Sequence, residues 1–193
     1  MTMWLREGST YEQVREGFRW NIPETYNMAH DICDQYAGSG RTALIEVGED
    51  GSAREYSFAQ IQEMANQVAN VLTHKGAVRG ERVMILLGQH PYAAVTHVAC
   101  WKAGLVSVPT SVLFGPEALA YRLSDSGAVF AVTDRENYPR LREAQESAGT
   151  LRGVFLVDGE DLRCRLIVSR RMAWKREATN VETKATEPAF MCY

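Results

Sequence analysis

Four cysteines and four histidines are the side chains best suited to metal or nucleophilic chemistry in this 193-residue chain. Cys33, Cys100, Cys164 and Cys192 are scattered without a C-x-x-C pair, which fits reduced core thiols rather than zinc ligation or a disulfide framework. His90 and His97 lie seven apart across a helical segment and could share a face, but no acidic or thiol partner stands at metal spacing. "SDSG" at Ser124 to Gly127 offers a serine, yet no base is placed to activate it, and the stretch reads as a helix end with Gly127 as the stop. "GSG" at Gly38 to Gly40 precedes a strand instead of joining a strand to a helix, so it reads as a helix stop and not as a phosphate loop. No nucleophile elbow, paired catalytic carboxylates or metal box is present.

Composition narrows the classes. A formal charge of −3 argues against a nucleic-acid surface, which needs a clustered basic excess. No segment approaches the ~20 apolar residues that cross a bilayer, and the N-terminus lacks an apolar signal core, so a cytosolic protein without a membrane span is expected. With 46% hydrophobic residues the chain can bury a sizeable core.

Amphipathic stretches at 11–20 and 24–36 come first. "TALIEV", the Asp50-Gly51 turn signal and "REYS" then predict an antiparallel hairpin. Ser57 with Gln60 forms a capping box, Tyr56 can staple onto Ile61, and Ile61, Met64, Ala65, Val68 and Leu72 repeat at helical spacing up to Gly76. From Arg82 the chain alternates apolar strands ("RVMILL", "LVSVP", "AVFAVTD", "GVFLVD") with helices expected near 91–103, 116–126 and 137–148, after the helix at 58–74. Near-continuous apolar strands joined by crossover helices predict an α/β fold, mainly a parallel sheet flanked by helices, with the small antiparallel hairpin at its N-terminal side. Residues 161–187 break the rhythm and read as an irregular or divergent excursion, in which "RRMAWKR" is a solvated basic face. The final run, Ala189 to Tyr193, reads as a buried strand.

In order, "WNIPETYNMAHDICDQYA", "YSFAQIQEMANQVANVL", "GERVMILLGQHPYAAVTHVACWKAGLVSVPTSVLFGPEALAYRLSDSGAVFAVTD" and "EPAFMCY" resemble AMP-forming acyl-CoA synthetases, in the acetyl and medium-chain branch of the adenylate-forming superfamily. The likeness covers nearly all of 15–158 and resumes at about Glu187, so residues 1–193 resemble part of the N-terminal domain of that fold. A sequence irregularity whose frame recovers before "EPAFMCY" and a family-specific insertion are both open explanations of 161–187. The resemblance implies ligase chemistry: ATP with magnesium activates a carboxylate to an acyl-adenylate, and coenzyme A displaces AMP.

In the family, the strand similar to "PAFMCY" runs into a loop of the form TSGTTG-x-PKG that wraps the ATP phosphates, and that loop is not among these residues. The resemblance therefore implies no catalytic residue and no bound cofactor for the 193 residues alone. It places Arg140 and Arg142 where some members hold the coenzyme A phosphate, against the plainer reading of a solvated helix face with Glu143 and Glu146 nearby. An inactive truncated synthetase, half of a split synthetase completed by a second chain, and a non-catalytic interaction module are the three functions it leaves open.

Overall fold

The computed structural model describes residues 10–158, 165–166 and 175–193. The opening stretch is helical at Tyr11–Gly17 (α1), where Thr10 caps the Gln13 amide, but α1 buries no residue and Trp20 beyond it is 77% exposed. The second stretch is shorter than its periodicity suggests. Helix α2 spans Met28–Ile32 and gives way to a 3-10 turn over Asp34–Ser39, which closes at Gly40 (φ 69°), the second glycine of the expected stop. Only Ala29 of α2 is buried, too little apolar contact to sustain a longer helix.

Strands β1 (Thr42–Val47) and β2 (Ala53–Ser57) form the expected antiparallel hairpin, with Asp50 accepting from the Ser52 amide across the turn. Ser57 then caps α3 (Phe58–His74): its hydroxyl accepts from the Gln60 amide while the Gln60 side chain accepts from the Ser57 amide. Tyr56 and Ile61 are both buried in the core beside this start.

The main sheet contains β3 (Arg82–Leu86), β4 (Val106–Pro109), β5 (Phe130–Thr133), β6 (Gly153–Leu156) and the two-residue β7 (Arg165–Leu166), in the order β4-β3-β5-β6-β7. Its pairings are parallel, with Val83 opposite both Ser107 and Phe130, and Phe130 opposite Gly153. Helices α4 (Pro91–Lys102), α5 (Pro116–Ser126) and α6 (Tyr138–Ala148) supply the crossovers.

Side chains alternate between two cores, as the pleat requires. Val83, Ile85, Phe130, Val132 and Phe155 face α3 and α4, while Met84, Leu86 and Ala131 face Leu119, Leu123, Leu141 and Ala144 of α5 and α6. Both faces of the sheet are covered, which is why its strands are continuously apolar in sequence. Gly127 ends α5 at φ 59°, and a Cβ there would lie 2.6 Å from Arg82 Nη2, whose guanidinium donates to the Ser126 and Gly127 carbonyls. The glycine stop in "SDSG" thus serves both the turn and the tie to β3.

The excursion at 161–187 lies partly outside the described residues. Its later part, 175–187, returns across the molecule and makes backbone links to α4 and to the segment before α2.

Candidate functional site

In open parallel sheets, ligands gather outside the carboxyl ends of the strands. Here the loops at that edge are tied to one another. Thr133 Oγ1 donates to the Leu86 carbonyl (2.9 Å), and the Thr110 amide to that of Ile85 (2.9 Å). Asp134 accepts from the Asn137 amide (2.8 Å) and side chain, while Asp158 accepts from the Arg135 amide (2.7 Å). Arg140 crosses this edge: Nη1 donates to the Val112 carbonyl (2.7 Å) and Nη2 to Asn137 Oδ1. It therefore struts the β4–α5 loop against α6, using donors that a phosphate would need. Arg142 is exposed and makes no ion pair or side-chain hydrogen bond among the described residues. Neither arginine pairs with Glu143 or Glu146 among the described residues.

A second, denser arrangement seats residues 187–193 on β4. The Ser107 amide donates to the Ala189 carbonyl (3.1 Å) and the Met191 amide to the Ser107 carbonyl (3.0 Å), the pattern of a parallel pair. Trp101 Nε1 donates to the same Ala189 carbonyl (2.7 Å). His97 Nδ1 lies 2.9 Å from Ser107 Oγ, which reaches Ala189 O at 3.3 Å. With Nδ1 as donor, the hydroxyl is free to donate onward to the carbonyl, and both bonds are made at once. The His97 ring stacks on Trp101 and on Phe190.

Alternation carries Met191 and Tyr193 to the other side, where the Tyr193 hydroxyl donates to Asp125 (2.6 Å) and Arg122 lies 5.4 Å from its ring. Burial, and then the Asp125 carboxylate, push the Tyr193 phenol up to about 12. At the start of the segment, Arg79 grips Glu187 through two donors and, with the Lys184 amide, holds its carboxyl down to about 2. The run is thus an extended edge segment joined to β4, not a buried strand: Phe190 is 48% and Tyr193 43% exposed.

His97 gives this seat a pH dependence. Burial lowers its pKa below the ordinary 6.5, because the neutral ring suits the apolar stack. Above pH 6.5 its contribution to stability is whole; as pH falls below that, the unfolded chain takes a proton that the folded chain refuses, and stability declines. The urea midpoint is expected to fall between pH 7.5 and pH 5, and His97→Gln to flatten that fall. Equal pH dependence in both proteins would contradict the assignment.

The other residues marked for chemistry do structural work. His90 caps α4, its Nδ1 accepting from the Tyr92 amide, so it does not join His97 in a site. Cys33 and Cys100 are buried and burial pushes both thiols up, Cys33 to about 11, whereas Cys192 is exposed, contrary to a core role for all four; Cys164 lies outside the described residues. Among the described residues no three His, Cys, Asp or Glu side chains are grouped to hold a metal ion. Sequence reasoning passed over Trp101, Ser107 and Arg79. The available signal was Ser107, a hydroxyl in an otherwise apolar strand, which must find a partner when buried.

Three comparisons agree on kinship. The family described as AMP-binding enzyme matches residues 33–193. An acetyl-coenzyme A synthetase of Streptomyces coelicolor is 32% identical over 161 residues, covering 75% of this chain and 24% of that protein. The mitochondrial acyl-coenzyme A synthetase ACSM3 of Rattus norvegicus is 28% identical over 176 residues, 86% of this chain and 28% of that protein. The crystal structure of Brucella canis acyl-CoA synthetase superposes with a TM-score of 0.85 at 26% identity, covering 94% of this chain and 35% of that one. An anthranilate CoA ligase, AuaEII, solved with anthranoyl-AMP, shares the fold with a TM-score of 0.75 at 21% identity. The chain spans about a quarter to a third of the length of these relatives. It belongs to the AMP-binding enzyme family, among relatives that are acyl- and acetyl-CoA synthetases.

Proposed function

We propose that residues 1–193 are the N-terminal scaffold of an AMP-forming acid–thiol ligase, and that their own task is to deliver the chain after Tyr193 to the edge of the parallel sheet. The observation carrying this reading is the seat of residues 187–193, where an ion pair, a parallel bridge and an aromatic stack fix an extended segment in one register against β4. That is the position from which a phosphate-binding loop would begin in the family resembled. The reaction is activation of a carboxylate by ATP to an acyl-adenylate with loss of pyrophosphate, followed by attack of the coenzyme A thiol and loss of AMP.

ATP and magnesium need a triphosphate cradle and oxygen ligands; the family's TSGTTG-type loop is not among the 193 residues, and among the described residues no three His, Cys, Asp or Glu side chains are grouped to hold a metal ion. No step is therefore assigned to a residue of this chain. Of the two arginines we assign the coenzyme A phosphate contact to Arg142, which is exposed and makes no ion pair or side-chain hydrogen bond among the described residues, while Arg140 braces the β4–α5 loop. Among the described residues no helix is long and apolar enough to cross a membrane, and a cytosolic location is proposed.

The test combines the 193-residue chain with a second chain carrying the remaining two thirds of a synthetase, and measures carboxylate-dependent exchange of pyrophosphate into ATP. Exchange by the pair, with acetate, butyrate, octanoate or benzoate, is the expected result. In that pair Arg142→Ala should leave exchange unchanged and raise the coenzyme A requirement of the thioester step roughly tenfold, the worth of a charge-assisted bond. A stable pair that exchanges with none of the four acids would set the scaffold reading aside and favour a non-catalytic module.

A further inference from the structure

We infer that Lys102, Asp34 and Asn180 form a part-buried latch that closes residues 177–187 as a strap over α2 and α4, and that this strap opens as a unit without unfolding the parallel sheet. Three elements meet at the latch. Lys102, on the last turn of α4, is 1% exposed, and its Nζ lies 2.5 Å from Asp34 Oδ2, at the start of the turn after α2, and 3.1 Å from Asn180 Oδ1 on the strap. Asn180 Nδ2 donates back to Asp34 Oδ2 at 2.8 Å, closing the triangle. Asn180 is thus both acceptor for the buried ammonium and donor to the carboxylate. No apolar or acidic residue could do both.

The rest of the strap's attachment is also polar. The Val181 amide donates to the Lys102 carbonyl (2.8 Å), and Asn27 Nδ2 donates to the carbonyls of Trp101 and Val181 (2.8 and 2.9 Å). The Tyr26 amide donates to Thr183 and the Ala185 amide to Glu24, an antiparallel bridge to the segment before α2. None of residues 177–187 is buried. A pocket of about 140 Å³ is lined by the strap itself, through Thr183, and by Tyr26, Met28, Trp101, Leu105 and Pro188. A segment held by hydrogen bonds, one desolvated charge and, at its end, the Arg79–Glu187 ion pair, lining a pocket and without buried side chains, has the makings of a low-stability local unit beside a sheet closed by two apolar cores. Because the strap leads directly into Glu187 and the seat on β4, its opening would loosen that seat. The inference stands whether or not the chain serves a ligase.

Native-state hydrogen exchange on the full 193-residue chain tests it. Amides of residues 24–27 and 177–187 are expected to exchange as a group, faster than those of β3 and β5. Urea below the transition should accelerate the sheet while leaving the strap nearly unchanged, since local opening exposes little surface. Asn180→Ala, which leaves the Lys102–Asp34 pair in place, should raise strap exchange roughly tenfold, the loss of charge-assisted bonds, with β3 and β5 unaltered. An unchanged strap, strap and sheet rising together, or a strap that tracks the sheet in urea would each overturn the proposal.

Discussion

Assayed alone with ATP, magnesium and acetate, butyrate, octanoate or benzoate, the 193-residue chain is expected to exchange no pyrophosphate above the rate without protein. Adenylation needs the α-phosphate held in line for carboxylate attack while magnesium, backbone donors and a lysine take up charge on the leaving pyrophosphate. Positioning and preorganised electrostatics supply most of the rate in such reactions. Loss of a single preorganised donor costs ~10²–10³ in rate, and the 193 residues carry no stretch of the TSGTTG-x-PKG form that supplies such donors in the family resembled. Arg140 is not a ready substitute, because its Nη1 and Nη2 are already engaged with Val112 and Asn137. Carboxylate-dependent exchange by the purified chain would overturn the scaffold reading and require a phosphate site that its residue pattern does not show.

What the sequence made legible follows from how local each signal is. The capping box at Ser57 and Gln60, the Asp50-Gly51 turn and the glycine stop at Gly127 are decided within a few residues, and each stands as expected. The alternating apolar strands and crossover helices were readable because a sheet covered on both faces admits few polar residues. The seat was not readable in the same way. Arg79 and Glu187 lie 108 positions apart, Trp101 and Ala189 88 apart, and no periodic pattern links them. Nor could the second amphipathic stretch reveal its own interruption, since Cys33 and Asp34 leave α2 to bury a thiol and meet Lys102, contacts made by tertiary structure. The two arginines show the same divide. Their spacing is visible in sequence, but which one is free depends on the Val112 carbonyl, 28 residues away from Arg140.

Asp34→Ala is expected to be the most damaging single substitution outside the apolar cores, lowering stability by about 3–5 kcal/mol, because it strands a buried ammonium without its counter-ion. Lys102 has a side chain 2% exposed, so water cannot take over the role of the carboxylate without opening the strap or the end of α4. Such a loss is a large fraction of the ~5–15 kcal/mol that holds a typical domain together. The pair itself need not be a net source of stability. Both ions lose hydration on burial, and among the described residues Asp34 Oδ1 has no hydrogen-bond partner, so part of the desolvation cost is unreturned in the triangle. Replacing both partners, Asp34→Leu with Lys102→Met, should therefore recover most of the loss and bring the urea midpoint near that of the parent chain. The double variant also removes the partners of Asn180, so the sheet should regain its stability while the strap does not regain its protection from exchange. Additive losses in the double variant would mean that the two charges act separately and that the triangle is not the unit holding α2, α4 and the strap together.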